Sequence, residues 1–176
     1  MEILSKNNVY KGFLTLNELD VKLENGENVR REVIEKKDTV AIVALNDKNE
    51  VFFTKQPRVA INKDCSIELP AGLVEPGENP ETAARRELEE ETGCICDSME
   101  LLQKFVADPG CCNNVSYMYL ARGAKQVKEL NLDDDEFLEC FTIPLEKAFE
   151  MIDNGELYDA VSLISLMRLR EKLNKI

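Results

Sequence analysis

From Gly72 to Cys94 the chain reads GLVEPGENPETAARRELEEETGC, and the punctuation of this stretch constrains the fold more than any other. Asn79 before Pro80 is a helix N-cap followed by a residue preset for the first helical position, and Gly93 after Thr92 is a stop, so the spacing predicts a helix between them. On that helix Glu87, Glu90 and Glu91 stand at i, i+3 and i+4 and share about 100° of one face. Left unneutralised, each like-charge pair costs a few tenths of a kcal/mol. A bound cation reverses that cost. Carboxylate oxygens without histidine or cysteine select Mg²⁺, or Mn²⁺, over zinc, and Mg²⁺ shares its remaining positions with water and substrate phosphates. The same spacing also fits a solvated face, because Glu81 with Arg85 and Arg86 with Glu90 make i,i+4 ion pairs. Spacing alone leaves both readings open.

The rest of the chain narrows the chemistry by what it lacks. There is no histidine, which removes Ser-His, Cys-His and His-metal mechanisms and leaves carboxylates, amines, hydroxyls, thiols or a bound ion. Six cysteines, at 65, 94, 96, 111, 112 and 140, contain no CxxC pair; zinc and disulfide readings are set aside and the thiols are expected to be buried and inert. A formal charge of −12 argues against passive binding to a nucleic-acid backbone or an anionic membrane. A phosphate-bearing substrate would need cations held by carboxylates, or a few well-placed arginines. The longest apolar run, residues 40–45, is far short of the roughly 20 needed to cross a bilayer, and residues 1–13 lack the apolar segment of a signal peptide, so the cytoplasm is the expected compartment. A length of 176 residues fits one compact domain with a small appendage.

Residues 13–34 alternate loosely, with Asn25-Gly26 as a two-residue hairpin turn between residues 19–23 and 29–34. Residues 39–45 and 51–55 read as central strands and residues 67–69 as a short one ended by Pro70, followed by a loop over 71–77. Beyond the helix, strands are expected at 101–106, 115–121 and 137–143, the last following an acidic run at 133–136. Two helices, at 144–152 and about 159–173, close the chain, the second with Leu163, Leu166, Met167 and Leu173 as its apolar stripe.

Within the opening segment, Gly72, Glu78, Arg86, Glu87, Leu88, Glu90, Glu91 and Gly93 stand at the spacing G-x5-E-x7-R-E-U-x-E-E-x-G-U, with Cys94 in the final apolar place. This resembles the Nudix box, the signature of hydrolases that split a nucleoside diphosphate linked to another moiety. The resemblance implies that Glu87, Glu90 and Glu91 are metal ligands together with the backbone carbonyl of Ala71. It also implies that Arg86, counted with the glutamates in the catalytic set, and Glu78 hold those carboxylates in orientation. The flanking segments REVIEKKDTVAIVAL, KQPR, IELPAGLVEPGE and DDDEFLECFTIPLEKAFEMIDNGEL, with Asp108-Pro109-Gly110, are similar to the ADP-ribose pyrophosphatase subgroup. That likeness implies substrate contacts from Arg31, Arg58 and Glu68 and a homodimer formed through the N-terminal strands. One departure stands out: Asn114 lies where the subgroup carries a water-activating acid, and an amide cannot accept a proton. Glu90, Asp135 and Glu136 are the other candidates for that task.

The expectation is therefore an α/β/α sandwich around a mixed sheet, at residues 37–176, preceded by a dimer-forming antiparallel β unit at residues 1–36. The implied reaction is metal-dependent hydrolysis of ADP-ribose to AMP and ribose 5-phosphate. GDP-mannose or ADP-glucose are alternative substrates, and a module that binds ADP-ribose without cutting it is an alternative of another class. No nucleic acid or membrane partner is expected, since the chain carries no basic helix-turn-helix segment.

Overall fold

The computed structural model describes residues 1–132 and 137–175, in two compact units. The first unit takes Met1–Asp38 together with Phe105–Val115. Its sheet joins β1 (Glu2–Lys11), β2 (Thr15–Lys22) and β3 (Asn28–Glu35), all antiparallel. Every residue of β1 is exposed, which is why no apolar alternation announces it in the sequence. The β2–β3 connection is one residue longer than the expected two-residue turn: Gly26 N–H donates to the Leu23 carbonyl and Leu23 N–H to the Glu27 carbonyl. The loop is thus Glu24-Asn25-Gly26, with Gly26 at φ +88°, because only the glycine takes a left-handed conformation here. The sequence-distant segment Phe105–Val115 is tied to the same unit by one backbone bond and one bond from backbone to side chain. Ile34 N–H donates to Cys111 O at 2.7 Å, and Val115 N–H donates to Asp38 Oδ1 at 2.8 Å.

The second unit holds Thr39–Lys104 and the described residues after Val115. Its strands are β4 (Thr39–Leu45), β5 (Glu50–Arg58), β6 (Lys63–Glu68), β7 (Ala71–Leu73), β8 (Cys94–Ile95), β9 (Ser98–Phe105), β10 (Ser116–Arg122), β11 (Lys125–Gln126) and β12 (Glu139–Pro144). The main sheet runs β12-β5-β4-β10-β9, with β6 on β5 and β7 on β4, and the parallel β4–β10 pair makes it mixed; β8 and β11 form a separate ribbon. Alternate residues of β4 feed two cores. Val43 and Leu45 pack with α2 (Leu145–Asp153) and α3 (Ala160–Leu173), while Val40, Ile42 and Ala44 pack with Ala83, Ala84 and Leu88 of α1 (Pro80–Thr92). This is an α/β/α sandwich, and burial on both faces explains the unbroken apolar run of β4.

Strands β4 and β5 pair only at Leu45↔Val51 before diverging, and the gap is filled by β6 and β7. Residues 71–73, expected in a loop, are therefore a strand: β4 offers a free edge beyond its short pairing with β5. The split carries Ala71 and Gly72 against α1. In α3 the buried residues are Ser162, Ser165, Leu166 and Leu169, whereas Met167 of the expected stripe is half exposed. Small hydroxyls let this helix sit close to the sheet because both are satisfied: Ser162 Oγ accepts from Leu69 N–H at 2.9 Å and Ser165 Oγ donates to the Val161 carbonyl at 2.7 Å. The cysteines also differ from expectation. Cys94 is buried, Cys65 is exposed and the other four are intermediate. No helix among the described residues is long and apolar enough to cross a membrane.

Candidate active site

Helix α1 begins where the sequence says it must: Asn79 Oδ1 accepts from Glu81 N–H at 2.8 Å, Pro80 opens the helix, and Gly93 ends it at φ +68°. Ala83, Ala84 and Leu88 turn to the core, so the helix presents Glu87 and Glu90 beside β7 on another side, and Glu91 of the same stripe is buried. These residues, with Ala71, Gly72, Leu73, Glu75 and Asn131, line a polar cleft of about 290 Å³.

Arg86 organises the cleft. Its Nε and Nη2 grip both oxygens of Glu78 at 3.1 and 3.0 Å, and Nη2 also donates to the Leu73 carbonyl at 2.9 Å. The remaining Nη1 reaches Glu87 Oε1 at 2.6 Å and Glu90 Oε2 at 2.9 Å. One guanidinium is thus anchored on one carboxylate and orients two others, a use of its planar fork that lysine cannot reproduce. The hydrogen bonds to Glu78 raise the Arg86 pKa further above its ordinary value, and the same contact with the Glu75 N–H holds the Glu78 carboxyl below its own. Glu91 accepts from Ala71 N–H at 2.9 Å, linking the third acid of the stripe to β7.

Gly72 shows how closely strand and helix approach. A Cβ built there would lie 2.0 Å from Glu87 Cδ and 2.2 Å from each of its oxygens. The carboxylate fills the space a side chain would take. Three carboxylates with oxygen-only donors, one lodged against bare backbone, fit a hard divalent cation, with Glu87, Glu90, Glu91 and the Ala71 carbonyl as the available ligands.

The other anticipated residues divide between the units. Arg58 and Glu68 form a forked pair, Nε–Oε1 at 2.9 Å and Nη2–Oε2 at 2.6 Å, with Glu68 nearly buried. Burial alone would raise the Glu68 pKa, but the bonds from Arg58 and Ser66 outweigh it and the carboxyl sits below its ordinary 4.5. Arg58 is raised by its bond to Glu68, against the opposing effect of burial, and it also feels the charges of Glu91 and Asp159. Arg31, on β3 of the first unit, is exposed and donates to its neighbour's carbonyl, and Asn114 of that unit is buried. Asp135 and Glu136 lie outside the described residues. Sequence reasoning missed Glu75, Asn131 and Asp159. Glu75 lies within the glycine-bounded loop and could have been suspected. Asp159 reads only as the start of the last helix; it is the N-cap, accepting from Val161 and Ser162 N–H, and burial raises its pKa. Nothing in its sequence context marks Asn131.

The Glu68 shift gives a pH prediction. A carboxyl whose folded pKa is depressed contributes stability that is full above its unfolded value and fades as pH falls through the folded one. Glu68→Gln is expected to lower stability at pH 7 by about 1 kcal/mol, a modest figure because Arg58 is partly solvent-screened. The deficit shrinks below pH 4.5. Urea unfolding at pH 7 and pH 3 checks this; an equal deficit at both would rule out the ion pair as its source.

Comparison with known proteins adds a family. The NUDIX domain matches residues 35–161. The chain is similar to the methanol dehydrogenase activator of Bacillus methanolicus, at 36% identity over 86% of this chain and 82% of that protein. It is also similar to the ADP-ribose pyrophosphatase of Bacillus subtilis, at 33% identity over 96% and 92%. The solved structure of an ADP compounds hydrolase superposes with TM-score 0.87, covering 99% of this chain and 94% of that one; at 23% identity it speaks for the fold.

Proposed function

The chain belongs to the Nudix family of hydrolases, and from that premise we propose that it cleaves the diphosphate of ADP-ribose, releasing AMP and ribose 5-phosphate. Hydrolases of this family generally need divalent metal ions, and Mg²⁺ or Mn²⁺ suits the donors present. The observation that carries the reading is the Arg86 fan, one guanidinium spanning Glu78, Glu87 and Glu90 at the edge of the cleft. Such a clamp spends hydrogen bonds on aiming carboxylates, which a solvated face has no use for.

In this reading Glu87, Glu90, Glu91 and the Ala71 carbonyl would hold the metal, which when bound would neutralise charge on the diphosphate and make a nearby water more acidic. The chain's own residues do the rest. Glu78 fixes Arg86, and Arg86 holds Glu87 and Glu90 on the same edge of the cleft, so two of the three carboxylates are already oriented before substrate arrives. Glu90 is the more open of that pair, with about a third of its side chain exposed, and is the carboxylate suited to take the water's proton, since Asn114 is an amide. Arg58, prealigned by Glu68, and Arg31 bind the substrate's phosphate or ribose oxygens. The same reading makes the enzyme a homodimer, in which a second copy covers the fully exposed β1 with its Ile3, Val9 and Tyr10. Its compartment is the cytoplasm, where all six free cysteines stay reduced.

The test is a panel of ADP-ribose, ADP-glucose and GDP-mannose with Mg²⁺ or Mn²⁺, scored by nucleoside monophosphate release. Preferred cleavage of ADP-ribose supports the proposal. Intact ADP-ribose beside rapid cleavage of another nucleotide sugar overturns the substrate, and tight binding of ADP-ribose without cleavage under either metal makes the chain a binding module.

A further inference from the structure

We propose that Asp108, Cys111 and Cys112 form a second cation site, for a thiophilic divalent ion of the zinc type. Among the described residues they are the one trio of Cys, Asp or Glu side chains whose donor atoms all lie within 4.8 Å of one another. The turn itself assembles them. The N–H groups of Cys111 and Cys112 donate to the Asp108 carbonyl at 3.3 and 2.8 Å, and Gly110 N–H donates to Asp108 Oδ1 at 3.3 Å. That leaves Oδ2 to meet Cys111 Sγ at 3.0 Å, with the two sulfurs 3.8 Å apart. Two thiolates each about 2.3 Å from a tetrahedral zinc ion are about 3.8 Å apart, so the sulfur pair already spans one edge of such a polyhedron.

The backbone that carries these donors is held in place from outside the turn. Ile34 N–H donates to the Cys111 carbonyl at 2.7 Å, Ile34 and Cys112 form a parallel bridge, and Lys36 N–H donates to Asn113 Oδ1 at 3.2 Å. A preformed set of this kind loses little freedom on binding. Asp108 is exposed and both cysteines are half-buried, which admits an ion and leaves a fourth coordination position to water. Two soft sulfurs with one oxygen separate this site from the cleft of Glu87, Glu90 and Glu91: the former favours zinc, the latter magnesium. Binding takes up one cation and releases the thiol protons of Cys111 and Cys112. Spacing hides the site, because the cysteines are consecutive and the third donor comes from across a turn.

The experiment uses the full chain, reduced and stripped with a chelator, then titrated with Cd²⁺ in excess Mg²⁺, which fills the acidic cleft. Cadmium bonded to thiolate gives an ultraviolet charge-transfer band that carboxylates do not. One equivalent should saturate the band, Zn²⁺ should compete it away, and alkylation followed by mass spectrometry should find Cys111 and Cys112 protected while Cys65 is not. Cys111→Ser and Cys112→Ser should each abolish the band, and Asp108→Asn should weaken Cd²⁺ binding by at least the roughly 10-fold that loss of an outer hydrogen-bond partner costs. A variant that fails to fold is recognised by its melting curve, and the protection pattern of the unaltered chain then decides alone. No band, an unchanged band in the serine variants, or recovery of the pair as a disulfide after reduction overturns the proposal.

Discussion

Glu90→Gln should lower kcat for diphosphate cleavage by about 10³-fold, equivalent to roughly 4 kcal/mol of barrier, with the melting temperature nearly unchanged. The amide keeps the shape and the hydrogen bond of the carboxylate and loses its charge. Gln matches the glutamate in size, and its oxygen can still accept from Arg86 Nη1, now 2.9 Å from Oε2. Folding therefore loses one partly exposed ion pair, whose worth is small, while a chain at −12 sheds one of several crowded negative charges. The metal loses a charged ligand and the water loses its candidate proton acceptor. Glu91→Gln should act similarly on turnover, since Glu91 accepts from Ala71 N–H and an amide oxygen can do the same. Steady-state kinetics at saturating Mg²⁺ with parallel thermal melts check both. Near-native turnover in either variant would remove that carboxylate from the metal site.

How much of this was legible in the sequence depends on whether a feature is local. The helix was, because Asn79, Pro80 and Gly93 encode its ends by capping and stop chemistry within one short stretch of chain. The strand β4 was, because burial on both faces leaves an unbroken apolar run. Features assembled by tertiary contact were not. The strand at Ala71–Leu73 exists because β4 and β5 diverge after one register pair, and nothing in residues 71–73 states that a free edge awaits them. The stretch Glu2–Lys11 buries nothing, so periodicity had no signal to carry. Glu78 and Arg86 are eight residues apart and were expected to cooperate, yet the Leu73 carbonyl completing the clamp could not be inferred from charge. The field around Arg58, from Glu68, Glu91 and Asp159, draws on three distant segments and is visible only in the fold.

Gly72→Ala is the second large effect, and it separates activity from stability most cleanly. The added Cβ would stand 2.0 Å from Glu87 Cδ, so the carboxylate has to retreat by about 1.5 Å to reach an ordinary carbon–carbon contact of roughly 3.5 Å. Retreat breaks the 2.6 Å bond from Arg86 and withdraws a ligand from the cleft. Misplacement on this scale costs about 10²-fold in kcat/KM. The backbone at this position is that of a strand residue paired with Val40, outside the left-handed region that alanine avoids, and what yields is the far end of a flexible side chain. The melting temperature should therefore stay within a few degrees of the parent, with the loss of chain freedom in the unfolded state partly offsetting the strain. A double-mutant cycle tests the route of the effect. If Gly72→Ala acts by displacing Glu87, adding it to Glu87→Ala should cost little more activity, whereas independent losses that multiply would show that the glycine serves some other purpose.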